Sequence, residues 1–297
     1  MSARNAPEDG ATAGFDRAGD ERSDAALVDA LRADPATRVL VVRGDRVSLT
    51  PDSALELVPP AAVTGHRVVW ALLGRLDGVA VLLAASAAQP AEETTGSPLR
   101  AVAAALVPAE AELAVTGVAL GRWLLDAPYC PACGELTDLV ASGWARHCPR
   151  CGREHFPRTD PAVIAAVRHP TDPDLLLLGA NAAWEQRRYS CFAGFVEAGE
   201  SLEQTLVREI REEAGITVGD VDYRGSQAWP YPRSLMLGFL VRALDAAAQG
   251  DGEEIVEVRW FHRDEIGRAL AGESDLLLPG PSSIAYRLIT AWHAERP

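Results

Sequence analysis

Three glutamates, Glu209, Glu212 and Glu213, crowd one short stretch of this chain, Gly194-Phe-Val-Glu-Ala-Gly-Glu200-Ser-Leu-Glu-Gln-Thr-Leu-Val-Arg208-Glu209-Ile-Arg-Glu212-Glu213-Ala-Gly-Ile216. Leu202, Leu206 and Ile210, with Val207 and Ala214, recur at helical spacing and make one apolar face. Ser201 suits an N-cap, and Gly215 suits the left-handed residue that ends a helix. The pattern predicts a helix over 201–214 with Glu209 and Glu213, four residues apart, side by side. Like charges at that spacing disfavour a helix by ~0.2–0.5 kcal/mol per pair. A bound divalent cation removes the conflict, and carboxylate oxygens around Mg2+ or Mn2+ suit hydrolysis of a phosphoric anhydride. The alternative is a solvated acidic face, the usual reading of a Glu-rich helix.

A second constellation is made of thiols. Cys130-Pro-Ala-Cys133 and Cys148-Pro-Arg-Cys151 are two C-x-x-C pairs fourteen residues apart, each followed by a glycine, Gly134 or Gly152. Four thiolates complete a tetrahedral Zn2+ shell with no open position, so the expected ion is structural, one per chain. It would organise a region too poor in apolar residues to fold alone. A pair of redox dithiols is the alternative. His147 and His155 flank the pairs and are expected at the surface. Arg146, Arg150 and Arg153 with Trp144 form a thin basic patch, enough to touch a phosphate and too small for an independent nucleic-acid-binding module. Cys191 stands apart and is expected to pack as a small apolar side chain.

These groups sit in a 297-residue chain that is 48% hydrophobic and 24% charged, the balance of a globular protein with room for two domains. With 28 Lys and Arg against 42 Asp and Glu, the net charge of −14 opposes non-specific coating of nucleic acid or an anionic membrane. The longest largely apolar run, Val79 to Ala88 with Ser86 inside it, is well short of the roughly 20 residues that span a bilayer. No membrane partner is expected. Residues 1–23 lack the apolar core of a secretory signal and read as a disordered tail. Paired cysteines suit a reducing compartment, hence the cytoplasm.

Residues 24–126 read as an N-terminal scaffold domain. Short strands at Val39–Val42, Val68–Leu73 and Val79–Leu83, expected to be antiparallel, precede helices around Leu99–Leu106 and Ala109–Leu125. The thiols occupy 127–156. From 157 to 297 strands (Ala162–Val167, Leu175–Leu178, Leu235–Val241, Val256–Phe261) alternate with the 201–214 helix and a final helix, Ser282–Ala294. That mixture indicates an α/β or α+β sandwich.

Taken whole, Gly194–Ile216 has the form Gly, five residues, Glu, seven residues, Arg-Glu-Ile-x-Glu-Glu-x-Gly-Ile, with nine of 23 positions specified. It resembles the signature of the Nudix hydrolases, enzymes that cleave a nucleoside diphosphate linked to another group. Downstream, Ser226-Gln-Ala-Trp229-Pro-Tyr231-Pro-Arg-Ser234 resembles the SQPWPFPxS motif of the NADH pyrophosphatase branch, whose members carry an N-terminal domain, a four-cysteine zinc ribbon and a Nudix domain in this order. The resemblance implies an α/β/α Nudix sandwich preceded by the ribbon and a mixed α/β domain. It implies hydrolysis of the NAD(H) pyrophosphate to nicotinamide mononucleotide and AMP, removal of NAD caps from the 5′ end of RNA, and a homodimer.

By position, the resemblance implies Mg2+ or Mn2+ bound by Glu209, Glu213, Glu254 and the carbonyl of Ala193. Glu212 would serve as a ligand or base, with Glu200 and Arg208 bracing the loop and helix. Glu257 is a reserve for Glu254. Gln227, Ala228, Trp229, Pro230, Tyr231, Pro232, Arg233 and Ser234 would line the dinucleotide pocket, Phe195 would stack on a base, and Ala285 would meet substrate through its backbone. Ala228 and Tyr231 depart tolerably from the family's Pro and Phe. Phe156 stands where a substrate-touching tyrosine is usual and lacks its hydroxyl, and Gly143 stands where some members have glutamate. Two other readings stay open: a Nudix hydrolase of ADP-ribose or a dinucleoside polyphosphate, and a non-catalytic dinucleotide-binding regulatory module.

Overall fold

The computed structural model describes residues 14–64, 67–87, 96–184 and 188–295. Residues 1–13 of the expected tail and the end of the 79–88 run lie outside these. The chain forms two compact units, one from Thr159–Trp229 and from Ser234 onward, the other from the described residues up to Arg158 together with Pro230–Arg233.

The N-terminal unit is built on a sheet of six strands, β1 (Phe15–Asp16), β2 (Arg38–Arg43), β3 (Arg46–Val47), β4 (Val69–Leu76), β5 (Val79–Ser86) and β6 (Ser97–Pro98), in the order β1-β4-β5-β2-β3-β6. Helix α1 (Leu27–Ala33) packs on one face through Leu27 and Leu31. On the other face lie the short α2 (Leu99–Val102) and the long α3 (Pro108–Asp126), with Leu113, Val118, Leu120 and Leu124 buried. Two expectations are corrected. Strand β2 pairs with β5 in parallel, Leu40 opposite Leu83, because the chain between them crosses over through β3 and β4. Residues 14–23 belong to the fold: Phe15 pairs opposite Leu76 and enters the core, and Glu21 makes two hydrogen bonds, 2.7 and 2.8 Å, with Arg75.

The thiol region adds a three-stranded sheet, β7 (Asp138–Val140), β8 (Ala145–His147) and β9 (Glu154–His155), to this unit. Its supposed basic patch is largely internal. Arg146 is buried, donating to the Leu124 carbonyl at the end of α3 (2.6 Å) and to Thr137, and it lies 5.5 Å from the Trp123 ring. Trp144 donates to the Leu72 carbonyl (2.6 Å) beneath the Arg22 guanidinium. Trp144 ties the ribbon to the N-terminal sheet and Arg146 ties it to α3, leaving Arg150 and Arg153 at the surface.

The C-terminal unit is an α/β/α sandwich. Strands β10 (Asp160–Arg168), β11 (Leu175–Asn181), β12 (Phe192–Phe195), β13 (Val218–Trp229), β14 (Ser234–Ala243) and β15 (Ile255–His262) form a mixed sheet in the order β13-β14-β10-β11-β15, with β12 also pairing β10. Alternation along β10 sends Val163, Ala165 and Val167 to the face covered by α4 (Leu202–Ala214). Ile164 and Ala166 face α5 (Arg263–Leu270) and α6 (Ile284–Ala294). The 3.6-residue period of α4 seats Leu206, Ile210 and Ala214 in that core, where each fully buried leucine or isoleucine stabilises the fold by about 1.5–3 kcal/mol.

Candidate metal centres

Helix α4 starts and stops as its residues dictate. The Ser201 hydroxyl accepts from the Gln204 N–H, the Gln204 side chain accepts from the Ser201 N–H, and Gly215 takes φ 69° at the C-cap. The apolar stripe points inward, so Glu209 and Glu213 stand on its flank against β12. Gly194, on β12, makes room for Glu209: a Cβ there would lie 1.8 Å from the Glu209 Cδ.

Arg208 organises the charges on the other side. Its guanidinium donates to Glu200 (2.7 and 2.9 Å), to Glu212 (3.1 Å) and to the Phe195 carbonyl (2.9 Å), and pairs with Glu209 at 2.8 Å. Glu200 also accepts from the Glu197 N–H and the Thr205 hydroxyl. Hydrogen bonding from Arg208, followed by the Glu197 N–H, brings the Glu200 carboxyl down to about 2. Glu200 and Arg208 therefore brace the β12–α4 loop.

Glu213 is different. It is buried, and its Oε2 has no hydrogen-bond partner. Burial, then the charges of Glu209, Glu254 and Asp251, push its carboxyl up to about 8 against help from the Ala193 N–H. Burial also raises Glu209, with Arg208 opposing. A buried carboxylate oxygen without a donor, set among other carboxylates, is suited to a divalent cation. Among the described residues, the four cysteines are the one group of three or more His, Cys, Asp or Glu whose ligand atoms lie within 4.8 Å of one another. The glutamates are not gathered in that way, and Arg208 takes up part of their charge.

The remaining candidates fall in several places. Glu254 is exposed just before β15 and its charge reaches Glu213, and the reserve Glu257 lies within β15 opposite Ala180. Phe195 is 55% exposed and free to offer its ring. Gln227 is committed to structure: it donates to the Ser282 carbonyl and accepts from the Ile284 N–H, both 2.7 Å, fastening the start of α6, where Ala285 is buried. Ala228 is exposed, Trp229 half-buried and Ser234 buried. Pro230–Arg233 cluster with the N-terminal unit: Tyr231 packs against that unit's core, and burial, with the charge of Asp45, pushes its hydroxyl up to about 12. Phe156, in the same unit, is 50% exposed.

The thiol centre is assembled. Cys130 and Cys151 sulfurs are 3.6 Å apart, and Cys133 and Cys148 are 3.5 Å apart. The glycine turns close as their spacing requires, with Gly134 N–H donating to the Cys130 carbonyl and Gly152 N–H to Cys148, at 2.8 and 2.9 Å. Burial opposes ionisation of Cys130, but N–H groups of Ala132 and Cys133 overcome it and draw its thiol downward. This donor set fits tetrahedral Zn2+. His155, expected at the surface, is half-buried with Nε2 3.3 Å from the Cys130 sulfur, because the β8–β9 pairing turns it back over the knuckle. That register was not legible from spacing alone. Asn181 and Asp251, which surround Glu254, were also missed; the Asp251-Gly252 turn signal marked the second.

Comparison with known proteins agrees with this arrangement. Residues 158–277 match the model of the NUDIX domain, and residues 126–156 match the NADH pyrophosphatase zinc ribbon domain. The chain is 42% identical over 281 residues to the NAD-capped RNA hydrolase NudC of Mycobacterium tuberculosis strain H37Rv, covering 89% of this chain and 85% of that one. It is 36% identical over 241 residues to the protein of the same name from Chromobacterium violaceum, covering 80% of this chain and 85% of that one.

Three outcomes are expected. Gly194→Ala displaces the Glu209 carboxylate and weakens Mn2+ binding on the order of tenfold or more, measured by titration; unchanged affinity would show that Glu209 holds no metal. Cys130→Ser loses zinc, measured as metal per chain, and melts at lower temperature, while Cys191→Ser keeps its zinc; a full zinc complement in Cys130→Ser contradicts the ribbon. The third concerns pH. Because folding raises the Glu213 carboxyl from 4.5 to about 8, the folded state holds the extra proton between those values. Its contribution to stability is present below 4.5 and lost as pH climbs through about 8. Denaturant melts in buffer free of Mg2+ and Mn2+ should show wild type losing stability relative to Glu213→Gln across that window; parallel curves would contradict the buried, raised carboxyl.

Proposed function

The chain belongs to the Nudix hydrolases that carry the NADH pyrophosphatase zinc ribbon, and from that premise we propose that it hydrolyses the pyrophosphate of NAD(H) to nicotinamide mononucleotide and AMP, and the same bond at the NAD-capped 5′ end of RNA. The observation that carries the reading is the buried, partnerless Oε2 of Glu213 within the field of Glu209 and Glu254. The names of the relatives support the substrate.

In this reading Glu209, Glu213 and Glu254, with the Ala193 carbonyl, hold Mg2+ or Mn2+. Held there, the ion would supply positive charge for the pyrophosphate and would lower the pKa of a water. Glu212, exposed beside Arg208, takes the proton of the attacking water. Arg208 and Glu200 keep the β12–α4 loop in place. Phe195 stacks on a base, and Trp229, on β13 with the Gln227 that anchors α6, lines the dinucleotide pocket. The product phosphates leave as monoesters. The four cysteines hold a structural Zn2+ without joining the reaction.

A homodimer and a cytoplasmic address belong to the same reading. Five free cysteines support a reducing compartment. Among the described residues no helix is long and apolar enough to cross a membrane.

The test is mass spectrometry of products from NADH, NAD+, ADP-ribose, a dinucleoside polyphosphate and NAD-capped RNA, with Mg2+ or Mn2+. NADH and capped RNA should release nicotinamide mononucleotide, and Glu213→Gln should lower turnover by at least about a hundredfold while remaining folded, since transition-state charge stabilisation of this kind is worth several kcal/mol. Preferential cleavage of ADP-ribose or of the polyphosphate would move the enzyme to another Nudix specificity. NADH binding without product under either cation would make it a binding module.

A further inference from the structure

Glu254 lies outside the family's helical signature and outside any regular element, on an exposed turn between the Gln249–Gly250 stretch and β15. An exposed glutamate on a turn samples several rotamers, and a ligand must be held near its bonding geometry to contribute much affinity. The turn is therefore the part of the site whose order most needs an explanation.

Two side chains supply it. Asp251 Oδ1 accepts three successive backbone N–H groups, from Glu253 (2.8 Å), Glu254 (3.0 Å) and Ile255 (2.9 Å). These hydrogen bonds hold the Asp251 carboxyl below its ordinary range. Gly252, at φ 79°, closes the loop by donating to the Ile255 carbonyl at 3.1 Å. Across the sheet edge, the Ala182 N–H donates to the Glu254 carbonyl at 2.9 Å, and Asn181 Nδ2 reaches Glu254 Oε1 at 3.4 Å. Asn181 is in turn fixed by its Oδ1, which accepts from the Ala183 N–H at 2.9 Å, and it stands at the bulge where the β11–β15 register shifts. One carboxylate oxygen of Glu254 is thus approached by a donor, and the backbone from Glu253 to Ile255 is bound at three points.

Resting on the reading of Glu254 as a metal ligand, we infer that Asp251 and Asn181 are positioning residues for it: Asp251 sets the backbone of the turn and Asn181 orients the carboxylate toward Glu213. Neither residue touches substrate or metal in this assignment. Outer partners of a metal ligand are worth roughly 10–100-fold in metal affinity. The bulge has a purpose in this account, since it shifts the register where Asn181 meets the start of β15.

The experiment is Mn2+ titration of the full-length protein, read as free Mn2+ by electron paramagnetic resonance, with thermal melting in parallel. Asp251→Ala and Asn181→Ala should each weaken one class of Mn2+ site on the order of tenfold with little change in melting temperature. Asp251→Asn keeps an oxygen acceptor for the three N–H groups and should retain most of the affinity. In a Glu254→Gln background, Asp251→Ala should have little further effect, because the two act through one ligand. If Asp251→Asn is as weak as Asp251→Ala, the aspartate acts through its charge and the inference is overturned. Full additivity of Asp251→Ala with Glu254→Gln overturns it as well. Unchanged Mn2+ affinity in Glu254→Gln alone would instead defeat the underlying assignment of Glu254.

Discussion

Burying a carboxylate is costly unless something positive meets it, and this fold buries Glu213 with one oxygen left unmet. Helix α4 makes that placement unavoidable. Its apolar stripe of Leu206, Ile210 and Ala214 must enter the core, and the helical period then turns Glu209 and Glu213 toward β12. A chain selected for stability alone would replace Glu213 with an apolar residue, as buried ionic groups often exchange favourably for hydrophobic ones. Its retention makes sense when the cost is returned by a bound cation.

The surrounding charges separate into structural and chemical sets. Glu200 has Arg208, Thr205 and the Glu197 N–H as partners, and its carboxyl falls to about 2. Glu213 has the Ala193 N–H and three nearby negative charges, and its carboxyl rises to about 8. Two glutamates of one signature are driven in opposite directions by their environments, which is how one loop can be rigid while its neighbour remains available for a ligand. The zinc ribbon repeats this economy: its ligands are fully gathered, and its arginine and tryptophan serve the N-terminal core.

The α4 helix, its caps and the four-cysteine set were legible in the sequence because each depends on local spacing. So was the strand over Ala162–Val167, which is the centre of β10. What escaped was non-local. The parallel β2–β5 pairing, the burial of Arg146 against α3 and the return of His155 to Cys130 all depend on register between segments distant in sequence. Tyr231 and Gln227 also make contacts that no spacing announces: Tyr231 packs against the N-terminal core, and Gln227 fastens the start of α6.

The proposed chemistry turns on where a divalent ion binds. Crystals of the protein soaked in Mn2+ and measured at the manganese absorption edge should show an anomalous peak bonded to the oxygens of Glu213 and Glu209, with Glu254 turned toward it. Strong manganese peaks elsewhere, with Glu213 still buried and without a metal contact, would contradict the central claim.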